Sequence, residues 1–322
     1  MLNRTAEILF WIGRYTERIQ NHARLIDVNY HMRHELRGGD QSGCAWERLL
    51  INTGDYNTFY SSHEQATERD VLNFMTFDST QINSIFSCLK QARTNSHMVR
   101  ERIPSESWDI INSFYLWLKD KTIQDVFSRS PYLFYQRLKE WISLFHGSLE
   151  STMLRQEEWS FIQIGIFLER AENTVRLLQV IYHNFVEDGC LLEDHNNYHR
   201  MVASLKSLNA YEVFRKICAD EMTMQKVIEF LMSNPLFPRS FSFSLTMLES
   251  HLKVLQKSSA TSLISQRACS LVEQRKAKLS YLEWSSLSSE QLHDVLQEML
   301  LSSNEIGSVI SKAFFQEEVT RV

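Results

Sequence analysis

Two short runs carry residue types that chemistry uses. The first is Gly13, Glu17, Asn21 and Arg24; the second is Gly165, Glu169, Asn173 and Arg176. At 100° per residue, each run falls within about 80° of one helix face. A carboxylate in such a stripe is a candidate general base. The guanidinium is a candidate anion ligand and the amide a hydrogen-bonding filler. Glycine inside a helix costs about 1 kcal/mol against alanine, and close approach of two helices explains its presence. If the two helices cross at Gly13 and Gly165, the spacing predicts Glu17 against Arg176 and Glu169 against Arg24. Asn21 and Asn173 then take the remaining hydrogen-bond positions. An adjacent arginine lowers a carboxyl pKa, which argues against a base and for a buried ionic register. The other reading leaves a carboxylate and a guanidinium partly free for a ligand in a pocket between the helices.

Outside these stripes the candidates thin out. Arg239 follows Pro238 and precedes Ser240 at an expected helix start. A cation at the positive end of a helix dipole needs an acidic partner, Glu169 or Glu212, or else helps to bind an anion with Ser240 and free N–H groups. Other basic residues occur in short groups, Arg14 with Arg18, and Arg93 with Arg100 and Arg102. Glu290-x-x-His293 is one Glu-x-x-His motif where a di-iron bundle needs two, and it reads as surface. His195 and His199 have i, i+4 spacing without the glutamate of HExxH and read as a polar loop. The five cysteines form no CxxC pair and read as inert thiols of a reducing compartment. GxGxxG, GxxxxGK[ST] and GxSxG are all absent. No metal and no cofactor is expected.

The elements that hold these residues are helices. Among 322 residues there are 9 Gly and 4 Pro, too few turn residues for a sandwich or a doubly wound sheet. Apolar positions such as Ile8, Leu9, Ile12, Ile19, Ala23 and Ile26 keep i, i+3, i+4 spacing. They predict one long helix over 4–34, ending at Gly38-Gly39, and a second over 153–187, ending near Gly189. Further helices are expected over 46–53, 63–76, 82–103, 105–120, 132–150, 197–218, 223–233, 238–258, 260–282 and 287–315. The last starts from a cap in Ser286-Leu287-Ser288-Ser289-Glu290. A formal net charge of −5 offers no global attraction to nucleic acid or anionic lipid. No run approaches the 18 apolar residues of a membrane span, and the first residues carry charges where a leader is apolar. The chain is therefore expected to be cytoplasmic, off the membrane and off nucleic acid.

The two long helices also match each other. Ile12-Gly13, Glu17-Arg18, Asn21, Arg24-Leu25 and Val28 recur as Ile164-Gly165, Glu169-Arg170, Asn173, Arg176-Leu177 and Val180. Val71, Phe74, Ser84 and Leu89 recur as Val227, Phe230, Ser240 and Leu245. Apolar matches arise easily between amphipathic helices; Gly, Glu, Arg and Asn in register do not. The expected fold is all-α, a duplicated helical bundle. Its two similar halves, 1–150 and 151–322, would pack about a pseudo-two-fold axis.

The same blocks resemble a bacterial family, alpha-E. They are Arg4-x-Ala6-Glu7 with Trp11, Gly13-Arg14, Glu17-Arg18, Asn21 and Arg24; Ala92-Arg93, Asn95 and Arg100-Glu101 with Trp108 and Asn112; Gly165 through Arg176; and Ala210-Tyr211-Glu212 with Arg215, then Phe237-Pro238-Arg239-Ser240. The sequence departs at Ile19-Gln20, where the family tends to Ala-Glu, and at His97, where arginine is common. The resemblance implies an all-helical protein whose genes lie beside, or fused to, circularly permuted ATP-grasp and transglutaminase-like proteins. It implies a non-catalytic partner of an ATP-grasp-type amide or peptide ligase, and of a transglutaminase-like protein. The alternative is a peptide-modifying enzyme with a Glu/Arg/Asn pocket. Binding residues on either reading are Glu17, Asn21, Arg24, Glu169, Asn173, Arg176, Arg93, Arg100, Arg239 and Ser240.

Overall fold

The computed structural model describes residues 3–35, 42–128, 130–187, 198–218, 222–258 and 263–315. Every regular element among them is helical. In chain order they are α1 (Asn3–Glu35), α2 (Ser42–Thr53), α3 (Tyr56–Tyr60), α4 (Glu68–Thr76), α5 (Ile85–Met98), α6 (Ser105–Leu118), α7 (Ile123–Ser128) and α8 (Pro131–Thr152). Then come α9 (Glu157–Glu187), α10 (Tyr198–Ser207), α11 (Tyr211–Ile217), α12 (Met224–Ser233), α13 (Phe241–Ser258), α14 (Leu263–Tyr281) and α15 (Ser289–Phe314). The expected ends at Gly38-Gly39 and Gly189 lie outside the described residues, as does His195; His199 falls within α10.

The two long helices, α1 and α9, share the largest helix–helix contact in the molecule. Around α1 pack α5 and α8, with α6 against both of those. Around α9 pack α13 and α15, with α14 against both. The shorter α2 and α10 each touch both long helices. One continuous apolar core follows, including Ile12, Ile19 and Ile26 from α1 and Ile164, Leu168 and Val175 from α9, all at most 1% exposed.

Several expected helices are shorter or divided, each for a local reason. The helix expected over 63–76 begins only at Glu68, because the Thr67 hydroxyl caps the Asp70 N–H. The one expected over 82–103 starts after Ser84, which caps Ser87 in the same way, and ends at Met98. The single helix expected over 197–218 is two. Asn209 adopts φ 52, Ala210 N–H bonds the Leu205 carbonyl and Asn209 N–H bonds that of Lys206. This is a Schellman terminus with asparagine in the left-handed position. Gly54, at φ 77, ends α2 with the same pair of bonds, from Asp55 to Leu50 and from Gly54 to Ile51. The cap expected before the last helix is present as a capping box between Ser288 and Gln291.

Candidate functional site

At the crossing of α1 and α9 the backbones touch. A methyl group on Gly13 would overlap the Ile162 carbonyl oxygen and stand 3.0 Å from the Ile166 nitrogen. One on Gly165 would overlap the Phe10 carbonyl oxygen and stand 3.0 Å from the Arg14 nitrogen. The expected meeting of these two glycines is therefore observed, and only hydrogen fits between the helices at this depth.

The ionic seam starts one turn further along each helix. Glu17 is 1% exposed and accepts two bonds from Arg170, Nε to Oε1 at 3.0 Å and Nη2 to Oε2 at 2.8 Å. Glu169, 3% exposed, accepts the mirrored pair from Arg18 at 2.8 and 3.0 Å. Arg14 adds a second fork, to both oxygens of Glu172 at 2.9 Å, and its Nε lies 2.8 Å from Glu169. On the other side Arg239, from the turn before α13, reaches Glu17 at 3.1 Å and the Gln20 side-chain oxygen at 3.1 Å. Bidentate arginine–carboxylate pairs of this kind are strong and geometrically selective.

The predicted partners are thus corrected. Glu17 meets Arg170 and Arg239, not Arg176, and Glu169 meets Arg14 and Arg18, not Arg24. Arg239 takes neither Glu169 nor Glu212. Rise along the axis gives the reason. Glu17 lies four residues, about 6 Å, past its glycine, whereas Arg176 lies eleven residues, about 16 Å, past the other. A carboxylate that close to the crossing meets the neighbour at a similar height. Asn173 does not complete the network as expected: its amide nitrogen is buried with no acceptor.

The remaining predicted residues go to separate places. Arg176 sits beside Gly54. Ser240 caps α13, accepting from the Phe243 N–H at 3.0 Å and donating to the Asn234 carbonyl. Arg93 bonds Asn112 at 2.8 Å and lies 4.8 Å from the Tyr115 ring centre, joining α5 to α6. Arg100 is exposed beyond the end of α5. Glu290 and His293 are both exposed, as a surface motif should be. The residues missed as ligands of the seam are Arg14, Arg18, Arg170 and Glu172. Arg18 and Arg170 were visible as a repeated pair, but they lie just beyond the stripe, and only the length of arginine carries them across.

Burial alone would raise the pKa of Glu17, but Arg170 and Arg239 outweigh it and hold the carboxyl well below its ordinary value. Arg14 and Arg18 do the same for Glu169. Three histidines shift the other way from a cation's usual gain. Burial pushes His22, His146 and His251 down to about 4, against about 6.5 in an unfolded chain. Between those values the unfolded chain binds protons that the folded chain refuses, so stability falls as pH falls through the window. Below about 4.3, protonation of the unfolded counterparts of Glu17 and Glu169 continues the loss. Urea unfolding at pH 7.5 down to 4.5 should show a stability slope approaching about three protons, and His146→Gln should remove about one of them. A flat profile would contradict the buried, neutral state of these rings.

Among the described residues no group of three His, Cys, Asp or Glu is placed to hold a metal. Cys88 is buried and its thiol is pushed up to about 12 by that burial, in keeping with an inert thiol. No described helix is long and apolar enough to cross a membrane.

Uncharacterised proteins of Mycobacterium tuberculosis and Mycobacterium bovis are 22% identical to this chain over 274 residues, covering 79% of it and 30% of their own length. The chain thus spans about a third of those relatives. No solved structure matches it. A family model described as Alpha-E, "a predicted alpha-helical domain with a conserved ER motif", matches residues 1–315. Glu17-Arg18 and Glu169-Arg170, the two Glu-Arg pairs that lock α1 to α9, are motifs of that form, and the chain belongs to the Alpha-E family.

Proposed function

We propose that this chain is a non-catalytic helical partner in an ATP-grasp-type amide or peptide ligase system, holding the ligase or its peptide substrate. One observation carries the non-catalytic reading. Glu17 and Glu169 are committed, two oxygens each, to arginines that keep them ionised. A general base needs a pKa near the working pH and a lone pair facing the substrate, and Glu17 and Glu169 have neither. The identity of the partner rests on the resemblance and its gene neighbours. In the mycobacterial relatives the matching segment is joined to a longer chain, an arrangement that suits a module working beside others. A transglutaminase-like protein is a second partner on the same grounds, and a cytoplasmic setting suits such a system.

On this reading the bundle arose by duplication, with halves 1–150 and 151–322. Its support is the mirrored pairing of Glu17–Arg170 with Glu169–Arg18, the twin Schellman termini at Gly54 and Asn209, and the matching caps at Thr67 and Thr223. A doubled scaffold offers two related surfaces, which fits holding two components together. The test is gel filtration of this chain with a candidate ATP-grasp-type ligase, at micromolar concentration, together with ligase turnover. Co-elution and altered turnover are expected. Separate elution with turnover indifferent to this chain contradicts the proposal.

A further inference from the structure

The two sides of the seam are built alike but carry different charge. Beside Glu169 lie Arg14 and Arg18, paired with Glu169 and Glu172, while Arg176 acts on Glu169 and, with Asp55, on His22. Asp55 is 3% exposed and accepts from Gln81 at 2.8 Å and Asn83 at 3.1 Å; Asn83 in turn accepts from Arg18 at 2.8 Å. Three guanidiniums and three carboxylates are gathered there, although Arg176 makes no direct ion pair. Beside Glu17 the corresponding positions differ. Gln20 stands where Glu172 stands on the other helix, Ala210 follows Asn209 as Asp55 follows Gly54, and Arg239 precedes the Ser240 cap as Asn83 precedes the Ser84 cap. Three guanidiniums, Arg24, Arg170 and Arg239, therefore face one carboxylate, and both oxygens of Glu17 are already taken by the last two.

Arg24 is left over. It is 4% exposed, and its Nε and Nη1 are buried with no hydrogen-bond partner. Its charge is opposed by burial and by Arg239 and Arg170, with Glu17 the compensating group. Buried N–H donors without acceptors are costly, and a buried unpaired cation more so. Native interiors rarely tolerate either unless something fills the place.

We propose that Arg24, supported by Arg239 and Arg170, binds one oxyanion group, a carboxylate or a phosphate, in the seam between α1 and α9. The free Nε and Nη1 donors of Arg24 lie on different edges of the guanidinium, so an oxyanion takes a charge-assisted bond from one of them rather than a two-point fork from both. The anion makes up the charge that Glu172 and Asp55 supply on the other side. Such a site is a ligand sensor rather than a reaction centre, and it stands whether or not the ligase partnership does.

The test is thermal unfolding at pH 7.5 and constant ionic strength in chloride, inorganic phosphate or acetate. Phosphate or acetate should raise Tm saturably, by about 3 °C or more over chloride. A response to phosphate alone assigns a phosphate group, and a response to acetate assigns a carboxylate. Arg24→Met should abolish the response. Gln20→Glu places a carboxylate within reach of Arg239, so it should raise Tm in chloride and weaken the anion effect. Because that change is nearly isosteric, it decides the matter if Arg24→Met fails to fold. No saturable effect beyond chloride, or an effect of equal size in wild type and Gln20→Glu, overturns the proposal.

Discussion

Replacing Gly13 with alanine should destabilise the protein by about 3 kcal/mol or more, and Gly165→Ala should do the same. At an ordinary helical position the same change gains about 1 kcal/mol in propensity, so the expected sign is reversed. The added methyl meets backbone on the opposite helix in both cases, Ile162 and Ile166 for one and Phe10 and Arg14 for the other. Backbone cannot step aside as a flexible side chain can, so α1 and α9 must separate. Separation lengthens Glu17–Arg170 and Glu169–Arg18 together, which lie one turn away on the same interface. Gly147 supplies the control. Nothing lies within 4 Å of a methyl group there, so Gly147→Ala within α8 should be neutral or stabilising. Urea unfolding of the three variants reads both signs. Stabilisation by Gly13→Ala would mean that the helices do not touch at this point.

The second large effect belongs to the carboxylates. Glu17→Gln leaves Arg170 and Arg239 facing a neutral amide in a site that is 1% exposed. Breaking one partner of a buried ion pair costs about 3–5 kcal/mol, mostly as the penalty of an uncompensated charge. Glu169→Gln strands Arg18 and weakens the hold on Arg14 at a similar cost, softened because Arg14 keeps Glu172. The two variants should therefore rank with Glu17→Gln the worse. Replacing Glu17, Arg170 and Arg239 together by apolar residues of similar size should recover much of the loss, since the pair is a device of register more than of net stability. Equal stability of Glu17→Gln and wild type in urea would place that carboxylate in water.

The sequence read well where one residue type has one physical use. Few turn residues and sustained 3.6-residue periodicity imply helices, and helices are what the described chain contains. A glycine repeated inside two long helices implies contact, and Gly13 and Gly165 touch the opposite backbone. Partner identity was less legible because it depends on height along two axes at once. A stripe drawn on one helix placed Arg24 and Arg176 with the acids, whereas the arginines that reach them, Arg18 and Arg170, sit beside the glutamates in sequence and turn inward by length. Helix ends were legible at Ser288, where a capping box follows a serine-rich run, and illegible at Thr67 and Ser84, whose caps lie inside the expected helices, and at Asn209, which divides an unbroken apolar pattern.

Glu17 answers to Arg170, the arginine at its own height on α9, and not to Arg176 further along it. A double-mutant cycle in urea tests it directly, with Glu17→Gln combined first with Arg170→Gln and then with Arg176→Gln. The structure predicts a coupling energy of about 2 kcal/mol for Glu17 with Arg170, and within about 0.5 kcal/mol of zero for Glu17 with Arg176. The reverse order, or no coupling in either cycle, would contradict the seam described above.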